Sequence, residues 1–130
     1  MPERRTFPSH LTALRDIRHF VHETVTGGPY GAADADEVTL AVSEACADAI
    51  SKARGDRIEI RLHLREDDLV VEVIEEGEGR RGQQGAERPM GHGLPVIRQM
   101  MDEFSIEPGT EDRPGTRMRM VRRREPGLRE

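Results

Sequence analysis

Ile58-Glu59-Ile60-Arg61-Leu62-His63-Leu64-Arg65-Glu66-Asp67-Asp68-Leu69-Val70-Val71-Glu72-Val73-Ile74 decides the class of fold. Over its first seven residues apolar and polar side chains alternate, the period of a strand with one face buried and one face wet. Glu66-Asp67-Asp68 supplies a tight turn. Leu69 to Ile74 is a second strand, apolar enough to be covered on much of both faces. The two are expected to pair as an antiparallel hairpin.

Toward the amino terminus the apolar period lengthens from two to three and four. Val38, Ala41, Val42, Ala45 and Ala49 form one helical stripe, opened by Asp34 and Glu37 at capping-box spacing and closed by Gly55. Before it, Leu11, Leu14, Ile17, Phe20, Val21 and Val25 mark another helix, with Ser9 as candidate N-cap and Gly27-Gly28-Pro29 as its end. Toward the carboxyl terminus, residues 76–90 are Gly-, Arg- and Gln-rich and read as a lid loop. Helical spacing returns from Gly93 to about Phe104, with Pro95 confined to the first turn. Ser105 to Glu107 reads as a short strand and Thr116 to Val121 as a last one, with Met118 and Met120 on one face. Residues 122–130 read as a polar tail. The order implies one domain over residues 1–130: an α/β two-layer sandwich with a mixed, mostly antiparallel sheet and helices on one face.

At 130 residues the chain has room for one core, and without Trp that core must be built from Leu, Ile, Val, Met and Ala. A formal charge of -5 argues against a general binder of nucleic acid or anionic membranes. Cys46, the one cysteine, excludes an internal disulfide and a cysteine-rich zinc site, and reads as a packed side chain. No apolar run reaches the roughly 20 residues that span a bilayer, so a cytoplasmic protein is expected.

Three features carry chemistry. Glu44 and Asp48 stand one above the other on the second helix. A solvated acidic face looks the same, but beneath bound phosphates one carboxylate can ligate a divalent cation while the other takes a proton from a nucleophile. Gly91-His92-Gly93-Leu94 leads into a helix, where small residues and unpaired amides suit an anion. Glu75-x-Gly77-x-Gly79 at a strand end can hold a purine, the carboxylate accepting from an exocyclic amine, and Thr116 can add a hydroxyl. The absence of GxxxxGK[ST] excludes a P-loop enzyme. His19 and His22, three apart, lack an evident third metal ligand.

In order and spacing, these segments resemble the Bergerat-fold (GHKL) ATPases of gyrase, histidine kinase and MutL type, and among them the RsbW-type anti-sigma-factor serine kinases. The matching stretches are Leu40 to Ile50, Val73 to Gly79, Gly91 to Arg98 with Met101-Asp102-Glu103, and Gly115-Thr116. The resemblance implies an ATP- and Mg²⁺-dependent kinase that phosphorylates a Ser or Thr on a STAS-domain antagonist, otherwise sequesters a sigma factor, and acts as a homodimer. By position it implies Glu44 as general base, Asp48 as metal ligand and Glu75 as acceptor of the adenine amine. It makes Gly77 and Gly79 the base-pocket glycines, Gly91, His92, Gly93 and Leu94 the phosphate turn, and Thr116 an adenine-pocket hydroxyl.

Two positions depart from the family pattern, which has Asn at 48 and Asp at 75. Asp48 adds negative charge facing a triphosphate. Glu75 is one methylene too long, and a lost or strained charge-assisted hydrogen bond there costs roughly 1.5–3 kcal/mol. The alternative is therefore a pseudokinase that keeps the fold and the partner surface without useful nucleotide binding. A detached sensor histidine-kinase domain is a third reading, disfavoured because no helix pair bearing a phosphoacceptor histidine precedes it.

Overall fold

A computed structural model describes residues 2–52, 56–75, 93–107 and 115–124. The elements run β1 (Glu3–Pro8), a 3₁₀ turn (Leu11–Ala13), α1 (Leu14–Thr26), α2 (Ala32–Lys52), β2 (Arg57–Leu64), β3 (Asp68–Glu75), α3 (Gly93–Met100), β4 (Glu103–Glu107) and β5 (Thr116–Arg123). The strands form one sheet in the order β1-β2-β3-β5-β4. Every described pairing is antiparallel, so the parallel component implied by a mixed sheet is absent among the described residues. The hairpin read from residues 58–74 is present, in a register that sets Ile60 against Val73 and Leu62 against Val71.

Alternation determines which face the helices cover. Ile58, Ile60 and Leu62 of β2, Leu69, Val71 and Val73 of β3, and Met118 and Met120 of β5 are buried under the helical layer. From the helices come Ile17, Val21 and Val25 of α1 and the α2 stripe Val38, Ala41, Val42, Ala45 and Ala49, the same stripe read from sequence. Small residues on α2 let α1 and α3 pack closely on either side of it.

The opposite face carries the intervening side chains. There Arg61 lies 3.2 Å from Glu59, and Arg117 reaches Glu72 at 3.6 Å and Glu107 at 3.9 Å. Partly exposed pairs of this kind contribute at most about 1 kcal/mol each. Their consequence is a largely wet face, interrupted by the buried Val70–Val121 pair.

Several sequence expectations are corrected. The segment Glu3–Pro8 is a strand: Phe7 is buried against the tilted Phe20 ring, 5.9 Å between centroids, and Arg5 lies opposite Ile60. Ser9 is not the N-cap; His10 is, its ring accepting from the Thr12 amide at 3.2 Å to start a 3₁₀ turn before α1. Asp34 sits inside the first turn of α2, three positions past the N-cap position, and its carboxylate is engaged elsewhere. Helix α3 stops at Met100, because Asp102 donates its amide to Val121 at 2.7 Å and the chain turns into β4, which holds Phe104. Arg122 and Arg123 belong to β5 rather than to a tail. Gly55, the lid at 76–90 and residues 125–130 lie outside the described residues.

Gly115 enters β5 with φ of 108°, a conformation that disfavours any side chain. Gly115→Ala is expected to cost of order 1–3 kcal/mol, read by urea unfolding. A loss below a few tenths of a kcal/mol would show that the turn relaxes freely.

Candidate functional site

Glu75 ends β3 and Thr116 begins β5, and the register places them directly opposite each other. Both belong to the helix-covered row that contains Val73 and Met118. They are 1% and 3% exposed, the two buried polar side chains among the described residues. The Thr116 hydroxyl has no hydrogen-bond partner among the described residues. A buried hydroxyl left so costs about 1–3 kcal/mol, which a polar ligand at this end of the sheet would recover. That is the observation by which the site fits a purine.

The same end gathers the other described candidates. Helix α2 runs toward β2, so its carboxyl-terminal half, with Glu44 and Asp48, lies near the Glu75 end of the sheet. Helix α3 packs along α2 with its last carbonyl, Met100, beside the first turns of α2, bridged by Arg122. Eight residues at 1.5 Å rise carry α3 back about 10 Å, which brings Gly93 toward the level of Glu44, with Asp48 one turn further along α2. Gly93 is buried, Leu94 half-buried against the core, and Glu44 and Asp48 half-buried. The Glu44 carboxylate makes no hydrogen bond or ion pair among the described residues and is available to a ligand. Gly77, Gly79, Gly91 and His92 lie outside the described residues, as do Arg80, Arg81 and Arg88.

Other candidates are placed elsewhere. Cys46 is fully buried, and burial pushes its thiol well above the ordinary range, so it packs as a neutral side chain. His19 contacts Glu23 at 3.3 Å and His22 contacts Asp36 at 2.8 Å, so the two imidazoles serve different carboxylates. A shallow groove of about 470 Å³, lined by Glu3, Arg5, His19, Phe20 and Leu64 among others, lies on the β1 flank. It shares no residue with the Glu44 cluster.

One cluster was not anticipated. Arg122 Nε and Nη2 donate to Asp34 Oδ1 at 3.1 and 2.8 Å, Nη2 also lies 2.7 Å from Glu37 Oε1, and Nη1 donates to the Met100 carbonyl at 2.6 Å. Burial works against the Arg122 charge, but the bonds from Asp34 and Glu37 more than offset it and raise its pKa above the ordinary value. Only the i, i+3 spacing of Asp34 and Glu37 hinted at this, and capping explains that spacing equally well.

Helices on one face of an open antiparallel sheet, with carboxylates, a helix start and a buried polar pair meeting at one end, define an ATPase-type α/β sandwich. The chain belongs to the histidine kinase-like ATPase domain family, whose model matches residues 7–122. Among solved structures, the histidine kinase domain from the Erythrobacter litoralis EL346 blue-light activated histidine kinase is similar, with a TM-score of 0.54 and 19% identity. The match covers 88% of this chain and 60% of that one, and at this identity the likeness is one of fold. No curated protein matches the sequence significantly. Among the described residues, no helix is long and apolar enough to cross a membrane.

Proposed function

We propose that this chain is an ATP- and Mg²⁺-dependent serine/threonine protein kinase of the RsbW type, which phosphorylates a STAS-domain antagonist and otherwise sequesters a sigma factor, acting in the cytoplasm as a homodimer. The observation that carries the reading is the buried Glu75–Thr116 pair, with the Thr116 hydroxyl left without a hydrogen bond among the described residues, at the end of the sheet toward which α2 runs. Family membership supports ATP as the ligand, since domains of this family generally bind ATP with Mg²⁺.

In this reading Glu75 and Thr116 orient the adenine, and the first amides of α3 at Gly93 and Leu94, unpaired within the helix, face the phosphates. Pro95 contributes no donor there. Asp48 holds the Mg²⁺, which supplies charge neutralisation along the phosphates when bound. Glu44 takes the proton from the substrate's Ser or Thr hydroxyl as that oxygen bonds to the γ-phosphorus and ADP departs. Leu40, one turn before Glu44 on the same stripe and 44% exposed, offers the incoming protein an apolar contact.

The pseudokinase is the second reading, favoured by one observation. Glu75 is 1% exposed with strands on both sides, so little room is left to move its extra methylene aside. Calorimetric titration of ATP with and without Mg²⁺, into the native chain and into Asp48→Asn/Glu75→Asp, separates the two. The kinase reading expects Mg²⁺-dependent binding by the native chain, strengthened about ten- to a hundredfold in the double variant. Binding that appears only in the double variant would establish the pseudokinase, and binding by neither would remove nucleotide from the function.

A further inference from the structure

Helix α3 is only eight residues long, too short to be stable on its own hydrogen bonds, so its position is set by what it touches. By helix rise its amino-terminal end reaches about the level of Glu44 on α2. Its carboxyl-terminal end is held by one guanidinium, which binds the Met100 carbonyl and, with its other nitrogens, Asp34 and Glu37 in the first two turns of α2. The residues that follow are fastened to the same strand: Asp102 donates its amide to Val121 at 2.7 Å, and Asp102 Oδ2 accepts from the Arg123 amide at 2.6 Å. The Arg122 side chain is 19% exposed, so water competes little for these bonds. A cation on the last carbonyl of α3 and carboxylates in the first turns of α2 also suit both helix dipoles.

We propose that Arg122 is a positioning residue for the cleft between α2 and α3, fixing the start of α3 beside Glu44 by clamping its far end to α2. The inference rests on the nucleotide reading above for its functional consequence, but the clamp itself is testable without nucleotide. A short helix moves as a rod, so displacement at Met100 is carried to Gly93, about 10 Å away. A planar fork reaches two carboxylates and a carbonyl together, whereas the ammonium of lysine is a point charge and holds fewer of them.

The test compares the native chain with Arg122→Met, Arg122→Lys and Asp34→Asn, following amide hydrogen exchange in residues 93–100 without nucleotide and ATP affinity with Mg²⁺ by calorimetry. Exchange in α3 is expected to quicken about tenfold or more in Arg122→Met while α1 stays protected. ATP affinity is expected to fall about tenfold, a consequence of misplacing groups that must align. Arg122→Lys should recover part of both. Should Arg122→Met fail to fold, Asp34→Asn, which leaves the guanidinium in place but removes one of the negative charges it pairs with, gives the deciding exchange measurement. Unchanged exchange in α3, or equal quickening in every helix, overturns the clamp. Unchanged ATP affinity with loosened α3 overturns its role at the cleft. If the native chain binds no ATP, the nucleotide reading fails, and with it Arg122's role at a nucleotide site, while α3 exchange still decides whether the clamp exists.

Discussion

Glu44→Gln is expected to lower phosphotransfer to a STAS-domain antagonist by about 10²–10⁴-fold, the usual contribution of a positioned general base, while leaving ATP affinity unchanged or slightly improved. The carboxamide has the same shape but cannot take the hydroxyl proton at neutral pH. Because the native carboxylate makes no hydrogen bond or ion pair among the described residues, its replacement breaks none of them, and unfolding is expected to be unaffected. Removing a negative charge near the phosphates accounts for any gain in binding. Labelled-phosphate transfer under single-turnover conditions reads the rate, and calorimetry reads the affinity. Transfer within about tenfold of the native rate would take Glu44 out of the chemistry, because proton abstraction by a positioned carboxylate contributes more than that.

Ile60→Ala should be the most damaging single change to stability. Ile60 lies in β2 between Arg5 of β1 and Val73 of β3, with no exposed surface. Truncating it removes buried methyl and methylene groups and leaves a cavity under the helices, at a cost of about 2–5 kcal/mol. Set against a total stability of about 5–15 kcal/mol, this is a large fraction. The midpoint of thermal unfolding should fall by roughly 10–20 °C. Arg61→Ala, one residue away on the wet face, serves as the control and should shift stability by no more than about 1 kcal/mol. Equal effects from the two would mean that the sheet does not separate a buried face from a wet one.

The elements legible in the sequence are those whose burial is periodic. The alternation from Ile58 to Leu64 and the stripe from Val38 to Ala49 each repeat the buried pattern almost residue for residue. Strand β1 escaped because Glu3, Arg4, Arg5 and Thr6 are all exposed on this edge strand, leaving Phe7 as its one buried residue and no period to read. Helix α3 was overrun because Met101 and Phe104 continue the helical spacing by coincidence: Met101 packs after the helix ends and Phe104 belongs to β4. Arg122 reads as tail because its charge suggests solvent, whereas the carboxylate that neutralises it lies 88 residues earlier in the chain. At the site, Glu44, Asp48, Glu75, Gly93, Leu94 and Thr116 could be picked out by residue type and order. That Glu75 and Thr116 are neighbours is a matter of strand register, which no local pattern encodes.

That register also constrains how the protein can be made. The partner of Glu75 belongs to the last described strand, and α3 and β4 intervene in the chain. A nascent polypeptide therefore carries Glu44, Asp48 and Glu75 into solution well before Thr116 leaves the ribosome. During that interval β3 presents an open edge where β5 will later pair. Synthesis that stops short of Thr116 yields a product that carries Glu44, Asp48 and Glu75 but lacks the strand that pairs with Glu75. In the proposed reading, ligand-dependent protection from proteolysis begins only in the longer chain, once that strand has docked.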